Sequence, residues 1–377
     1  MSRKICYITG TRADFGLMQS TLQAIHQSDD LALSIVVTGM HLDEQYGHTI
    51  DGIVAAGLPV SAKVVCDHAS PHGATMARNI GIMLTGFVDA LSDIKPDLVL
   101  LLGDRGEMLA GALAAIHLNI HIAHIHGGER SGTVDEPIRH AISKLSHFHF
   151  TATKDARDRL VRMGELAERV CVTGAPGLDG LEKLACVGRE TLMTEMGLDL
   201  KAPVALMVYH PVLQESSSAG EGAHHILNAL HAQGVQVVAL KPNSDAGSDQ
   251  IRSVLKTRAN EPGIRVVTHF SRERFISWMA AADLMIGNSS AGIIEAASFG
   301  TPVINIGSRQ NLRERNTNVI NTPVDAVAIE SAVARALAHG PYAQKNIYGD
   351  GHAFGRIVDL LKTVSLDPAV LAKSNAY

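Results

Sequence analysis

Along nearly the whole sequence, short apolar runs that end in a polar cluster alternate with segments of helical spacing. ICYITG (5–10), LSIVVTG (33–39), PDLVLLLGD (96–104), IHIAHIHGG (120–128), FHFTAT (148–153) and RVCVTG (169–174) are the first six. They are rich in Val, Ile and Leu and mostly lack polar alternation, so they read as strands buried on both faces. Leu17–His26, Ala74–Ile94, Arg105–His117 and Ile138–Leu145 carry helix-like spacing between them. Buried strands separated by helices imply a parallel, doubly wound α/β sheet.

The pattern then resets. Residues 181–200 are mostly charged helix and turn, and Lys201-Ala202-Pro203 breaks into a second series. That series is VALMVYHP (204–211), VQVVALKPN (235–243), GIRVVTHF (263–270), DLMIGNSS (283–290) and PVINIGS (302–308). Two Rossmann-like domains follow, residues 1–180 and 200–355, with the boundary between about 175 and 200. In open α/β sheets ligands bind beyond the carboxyl ends of the strands. Two such sheets face to face would put their polar strand ends across one cleft.

Composition excludes several partners. A net charge of −5 over 377 residues leaves no basic footprint for nucleic acid or an anionic membrane. The four cysteines are far apart with no CxxC pair, so no disulfide framework or thiolate zinc site is indicated. Residues 108–128 lack Asp, Glu, Lys and Arg, but four histidines and three glycines there fit a helix, a turn and a buried strand better than a membrane span. A soluble, cytoplasmic protein is expected.

Phosphate chemistry is suggested by GNSSAGIIEAASFG (287–300), where Ser289 or Ser290 can cap a helix after a buried strand. Glu295 is spaced to reach ribose hydroxyls. GTRAD (10–14), GDR (103–105) and GSR (307–309) each set an arginine just after a strand, and guanidinium groups clamp diphosphates bidentately. Neither GxGxxG nor GxxxxGK[ST] occurs, which disfavours a Rossmann dehydrogenase and a P-loop NTPase. His210 and His269 also close strands.

The stretch HIAHIHGGERSGTVDEPIRHAISK (121–144) is the richest in titratable groups. Period-2 spacing predicts His124 and His126 on one strand face. A zinc centre would need a third placed ligand, and HExxH is absent, so no metal is assigned. Asp135, just before Glu136-Pro137, is either a helix N-cap or, with Asp104 on the neighbouring strand end, half of an acid–base pair.

Taken in order, GTRADFG, VTGMH, GDR, HIHGGE, SGTVDE, YHPV, KPN, GNSS and GTPVIN-GSRQ resemble the hydrolysing UDP-N-acetylglucosamine 2-epimerases over residues 3 to 362. The resemblance implies a GT-B-like architecture, with the last segment (356–377) packing back on the first domain. It implies that Arg12, Arg105, Ser289, Ser290 and Arg309 contact the diphosphate and that Glu295 holds the ribose. His41, Glu129, Arg139, Asn243, Asp245 and the backbone near His269 and Phe270 would complete the UDP-sugar site. Asp104, His126, Asp135 and His210 fall on the family's catalytic positions. His126 stands where many relatives carry glutamate, so a carboxylate role is not carried over to it.

The implied reaction converts UDP-N-acetylglucosamine to UDP and N-acetylmannosamine through a 2-acetamidoglucal, in nonulosonic (sialic) acid biosynthesis. The same chemistry on a UDP-2,4-diacetamido-2,4,6-trideoxy sugar, as in legionaminic acid pathways, is the alternative. A non-hydrolysing epimerase, a GT-B glycosyltransferase and a UDP-sugar sensor are the competing readings. No cofactor is implied, because the leaving group is good and no hydride departs. A homodimer or homotetramer is expected by the same resemblance.

Overall fold

A computed structural model describes residues 2–44, 47–66, 72–132, 134–242 and 245–376. It contains two parallel sheets. The first comprises β1 (Arg3–Thr9), β2 (Leu31–Thr38), β3 (Val60–Val64), β4 (Leu98–Leu102), β5 (His121–Ile125), β6 (Phe148–Thr151) and β7 (Val170–Val172), in the order β3-β2-β1-β4-β5-β6-β7. The second comprises β8 (Val204–Val208), β9 (Gln236–Leu240), β10 (Ile264–Val267), β11 (Leu284–Gly287), β12 (Val303–Ile306) and β13 (Val319–Thr322), in the order β10-β9-β8-β11-β12-β13. The expected pair of doubly wound α/β domains is therefore present. Central strands such as β4 and β8 are buried throughout, which is why they read as unbroken apolar runs.

β3 and β13 lie at sheet edges and are half exposed, so VSAKV and VINT lack the apolar signal of their neighbours. Strand order reverses at β1/β4 in the first sheet and at β8/β11 in the second. These switch points are followed by GTRAD, GDR, YHP and GNSS.

Each sheet is covered on both faces. In the first domain Tyr7, Leu22, Ile35 and Leu100 form one layer, and Ile8, Phe87, Val99 and Leu101 the other. Ile357 and Leu361, from the helix Ala353–Thr363, complete the first of these layers rather than the second domain's core. Asp179 fastens that helix, accepting from the amides of Ala353 and Phe354 at 2.7 Å each. Arg3 Nη1 donates to the Leu361 carbonyl at 2.7 Å. Burying each such Ile or Leu is worth about 1.5–3 kcal/mol, so the chain's end is held by packing as well as by caps.

Candidate active site

The site is built from strand ends. After β1, Thr11 caps the helix Arg12–His26, and Asp14 reciprocates by accepting from the Thr11 amide at 2.8 Å and the Gly10 amide at 3.1 Å. This fixes Arg12 as the first helical residue. Arg12 neighbours Arg272 and Glu273 of the second domain, and its pKa falls to about 10, chiefly through burial, with Arg272 adding to the fall and Glu273 opposing it. Arg272 donates to the Gly177 carbonyl at 2.8 Å and pairs with Glu295. Two guanidinium groups, one from each domain, thus meet at the domain boundary, with Glu273 near Arg12 and Glu295 pairing with Arg272.

After β11, Gly287 adopts φ +138°, and a Cβ there would sit 2.1 Å from the Val208 carbonyl oxygen, so only glycine lets β8 and β11 converge this closely. Convergence lets Asn288 grip His210: its Oδ1 accepts from the His210 amide and its Nδ2 donates to the His210 carbonyl, both at 2.8 Å. Ser289 is the N-cap and accepts from the Ala291 amide at 3.3 Å. The helix it opens spans only Ser290–Ile294 before a 3-10 turn, so free amides remain without the dipole of a long helix. Glu295 closes this helix as its C-cap and is buried and engaged by Arg272.

Arg309, after β12, donates to the Asn288 carbonyl at 3.0 Å and lies 3.7 Å from Asp135. Arg105, after β4, is 3.2 Å from Glu107 and 3.6 Å from Asp245 of the other domain. His210 is pushed down to about 3, first by burial and then by Arg309 and Arg105, against the pull of Asp245. It is therefore neutral at pH 7.

Asp104, half-buried, joins the buried Glu129, Arg139, Arg313 and His126 in one cluster. Arg139 pairs with Asp104 and donates to the Glu129 carbonyl at 2.9 Å. Arg313, from the second domain, pairs with Glu129 and lies 3.9 Å from Asp104. Glu129 in turn meets His126 Nδ1. Burial works to raise the Glu129 carboxyl, but His126 and Arg313 hold it below the ordinary carboxylate range.

Several expectations need correction. His126 does not share a strand face with His124: β5 ends at Ile125, and His126 turns into the left-handed region at φ +63°. His124 is wholly buried, with Nε2 2.7 Å from the Gly103 carbonyl and Nδ1 3.0 Å from Ser143 Oγ. Asp135 is the first helical residue after the N-cap Val134, not a side-chain cap. His41 is also fully buried, its nitrogens 2.9 Å from Thr9 and Thr49 hydroxyls, so it braces β1 rather than lining the cleft. The Phe270 ring stacks on Trp278 in the core at 6.4 Å, which is compatible with the expected contact through the backbone there. His269 is exposed and abuts Gly47 of the first domain. Asn243 lies outside the described residues.

Arg272 and Arg313 were not singled out from sequence. Both sit in charged runs, SRER and RQNLRER, that resemble solvated faces. Their only signal is a place shortly after a strand end. Among the described residues no group of three or more His, Cys, Asp or Glu could hold a metal ion, and no helix is long and apolar enough to cross a membrane.

The profile of the UDP-N-acetylglucosamine 2-epimerase family matches residues 23–362. The chain belongs to that family. It is 48% identical over 377 residues, all of both chains, to the UDP-N,N'-diacetylbacillosamine 2-epimerase (hydrolyzing) of Legionella pneumophila. It is 35% identical to the UDP-N-acetylglucosamine 2-epimerase of Neisseria meningitidis serogroup B, covering 93% of this chain and 92% of that one. The crystal structure of a Neisseria meningitidis UDP-GlcNAc 2-epimerase bound to UDP-GlcNAc superimposes with a TM-score of 0.80 at 19% identity, covering 95% of this chain and 99% of that one. For the Methanocaldococcus jannaschii UDP-GlcNAc 2-epimerase with UDP-GlcNAc and UDP the TM-score is 0.81, with the same identity and coverage. These structural matches establish a shared two-domain fold for this family member.

Proposed function

We propose that this family member is a hydrolysing 2-epimerase that takes a UDP-linked 2-acetamido sugar to free UDP and the 2-epimeric sugar. One observation supports the reading: strand-end guanidinium groups of each domain meet groups of the other, Arg105 with Asp245, Arg309 with Asp135, both beside His210, while Arg12 neighbours Arg272 and Arg313 lies near Asp104. The arginines and the Ser289/Ser290 amides would stabilise the departing diphosphate, one preorganised donor being worth roughly 3 kcal/mol. As the C1–O bond loosens, oxocarbenium character acidifies the C2 hydrogen. A base in the first-domain cluster then removes it, giving a 2-acetamidoglucal, and water adds across the double bond with C2 inverted. Asp104 and Asp135 are the carboxylates nearest the sugar in this scheme.

For substrate, we favour UDP-2,4-diacetamido-2,4,6-trideoxyglucose over UDP-N-acetylglucosamine, reversing the preference drawn from sequence. The support is the full-length Legionella relative named for that substrate, at higher identity than the Neisseria relative named for UDP-N-acetylglucosamine. Parallel incubations with each sugar nucleotide test the choice. Higher kcat/KM for the diacetamido sugar is expected, and a preference for UDP-N-acetylglucosamine overturns it.

A further inference from the structure

Asp104 is compensated by Arg139, with Arg313 at 3.9 Å, and Asp135 faces Arg309 at 3.7 Å. A carboxylate flanked by guanidinium groups is well placed to stabilise positive charge and poorly placed to accept a proton. His124 has both nitrogens engaged inside the core, and His210 is held neutral by burial and two arginines. His126 differs. Its Nδ1 meets Glu129, and a carboxylate only accepts, so the neutral ring carries its proton on Nδ1 and its lone pair on Nε2. Glu129 is itself held by Arg313 of the second domain.

We infer that His126 Nε2 is the base that takes the C2 proton, with Glu129 orienting the ring and Arg313 completing the arrangement across the domain boundary. This rests on the hydrolytic epimerase reading above. In the step, the C2–H bond breaks and its proton passes to Nε2. The released electron pair forms the C1–C2 π bond while the C1–O pair leaves with UDP. Hydration then places hydroxide on C1 and a proton on the opposite face of C2. The charged or titratable groups packed around His126 and Glu129 are His124 on β5, Arg139 and Asp104 on the cleft side, Arg313 from the second domain, and Tyr348 and Glu314 beside Glu129.

The test uses the full chain in deuterated water with both UDP-sugars, following UDP release, C2 exchange and the pH dependence of kcat/KM. His126→Asn, which tolerates the left-handed backbone, should keep UDP affinity and lose turnover by about 10²–10⁴-fold. His126→Glu should recover part of that loss and move the acidic limb of the profile to lower pH, since a carboxyl group replaces an imidazole as the base. Glu129→Gln should lower kcat by about tenfold or more with KM little changed. Near-normal turnover in His126→Asn, or an acidic limb unmoved in His126→Glu, overturns the assignment. Wild-type protein that consumes neither sugar overturns the epimerase reading itself, and that result is distinct because it precedes any variant.

Discussion

Asp104 and Asp135 were legible from their positions after a strand and at a helix start, but their partners were not. Asp104 is answered by Arg139 and Arg313, one 35 residues on and the other more than two hundred residues away. Removing either carboxylate's charge should abolish turnover and spare the nucleotide side of the cleft. Asp104→Asn and Asp135→Asn are therefore expected to retain UDP affinity, measured calorimetrically, while losing about 10²–10³-fold in kcat through lost charge stabilisation. Full activity in either variant removes that residue from the mechanism. The Arg272–Glu295 pair is a different case, because both groups are largely buried. Glu295→Gln leaves the Arg272 charge without its compensating carboxylate beside Arg12, and breaking such a pair costs about 3–5 kcal/mol. Chemical unfolding with a midpoint like that of the native chain would show the pair to be unimportant to stability.

The helix Asp135–Leu145 carries Asp135 and Arg139 at its cleft end, and its other end is fixed from behind. Ser143 meets His124 of β5, whose Nε2–H donates to the carbonyl of Gly103, directly before Asp104. Ser143 Oγ lies 3.0 Å from both His124 Nδ1 and the Arg139 carbonyl, so this hydroxyl ties β5 to the helix that carries Arg139. Lys373, from the chain's end, donates to the Ser143 carbonyl at 2.9 Å and pairs with Glu165. Ser143→Ala should cost about 1–3 kcal/mol, because it strands a buried imidazole nitrogen. Unchanged unfolding free energy would contradict this tie. Element types were readable because the central strands are buried on both faces. Two of the four edge strands, β3 and β13, were not, since they are half exposed and lack an unbroken apolar run. The end of β5 was also hidden, because the left-handed turn at His126 breaks a periodicity that the sequence continues.

Across the whole molecule the two domains are joined by ion pairs that are also site contacts, Arg105 with Asp245, Arg309 with Asp135, and Arg313 with Glu129. Sequence showed two facing sheets and their strand-end clusters, but pairings over such separations depend on how the domains dock, which no local pattern records. Buried histidines set the pH response. His41 and His147 are pushed down to about 4, and His124 and His210 to about 3, burial being the main cause each time. Unfolded, each titrates near 6.5. Below that pH the unfolded chain binds more protons than the folded one, so stability falls as pH drops from about 6.5 toward 4. Asp14 and Asp179, raised to about 6 by burial, act in the opposite sense over part of that range but are fewer. Tm should therefore be lower at pH 5 than at pH 7.5, and an equal or higher Tm at pH 5 would contradict the buried-neutral histidines. The central claim, hydrolytic epimerisation of a UDP-sugar, is tested most directly by an NMR time course of each candidate sugar nucleotide in deuterated water. Free UDP together with the 2-epimeric free sugar, deuterated at C2, is the predicted result. A UDP-linked epimer, or a released sugar that keeps its original C2 proton and configuration, would contradict it.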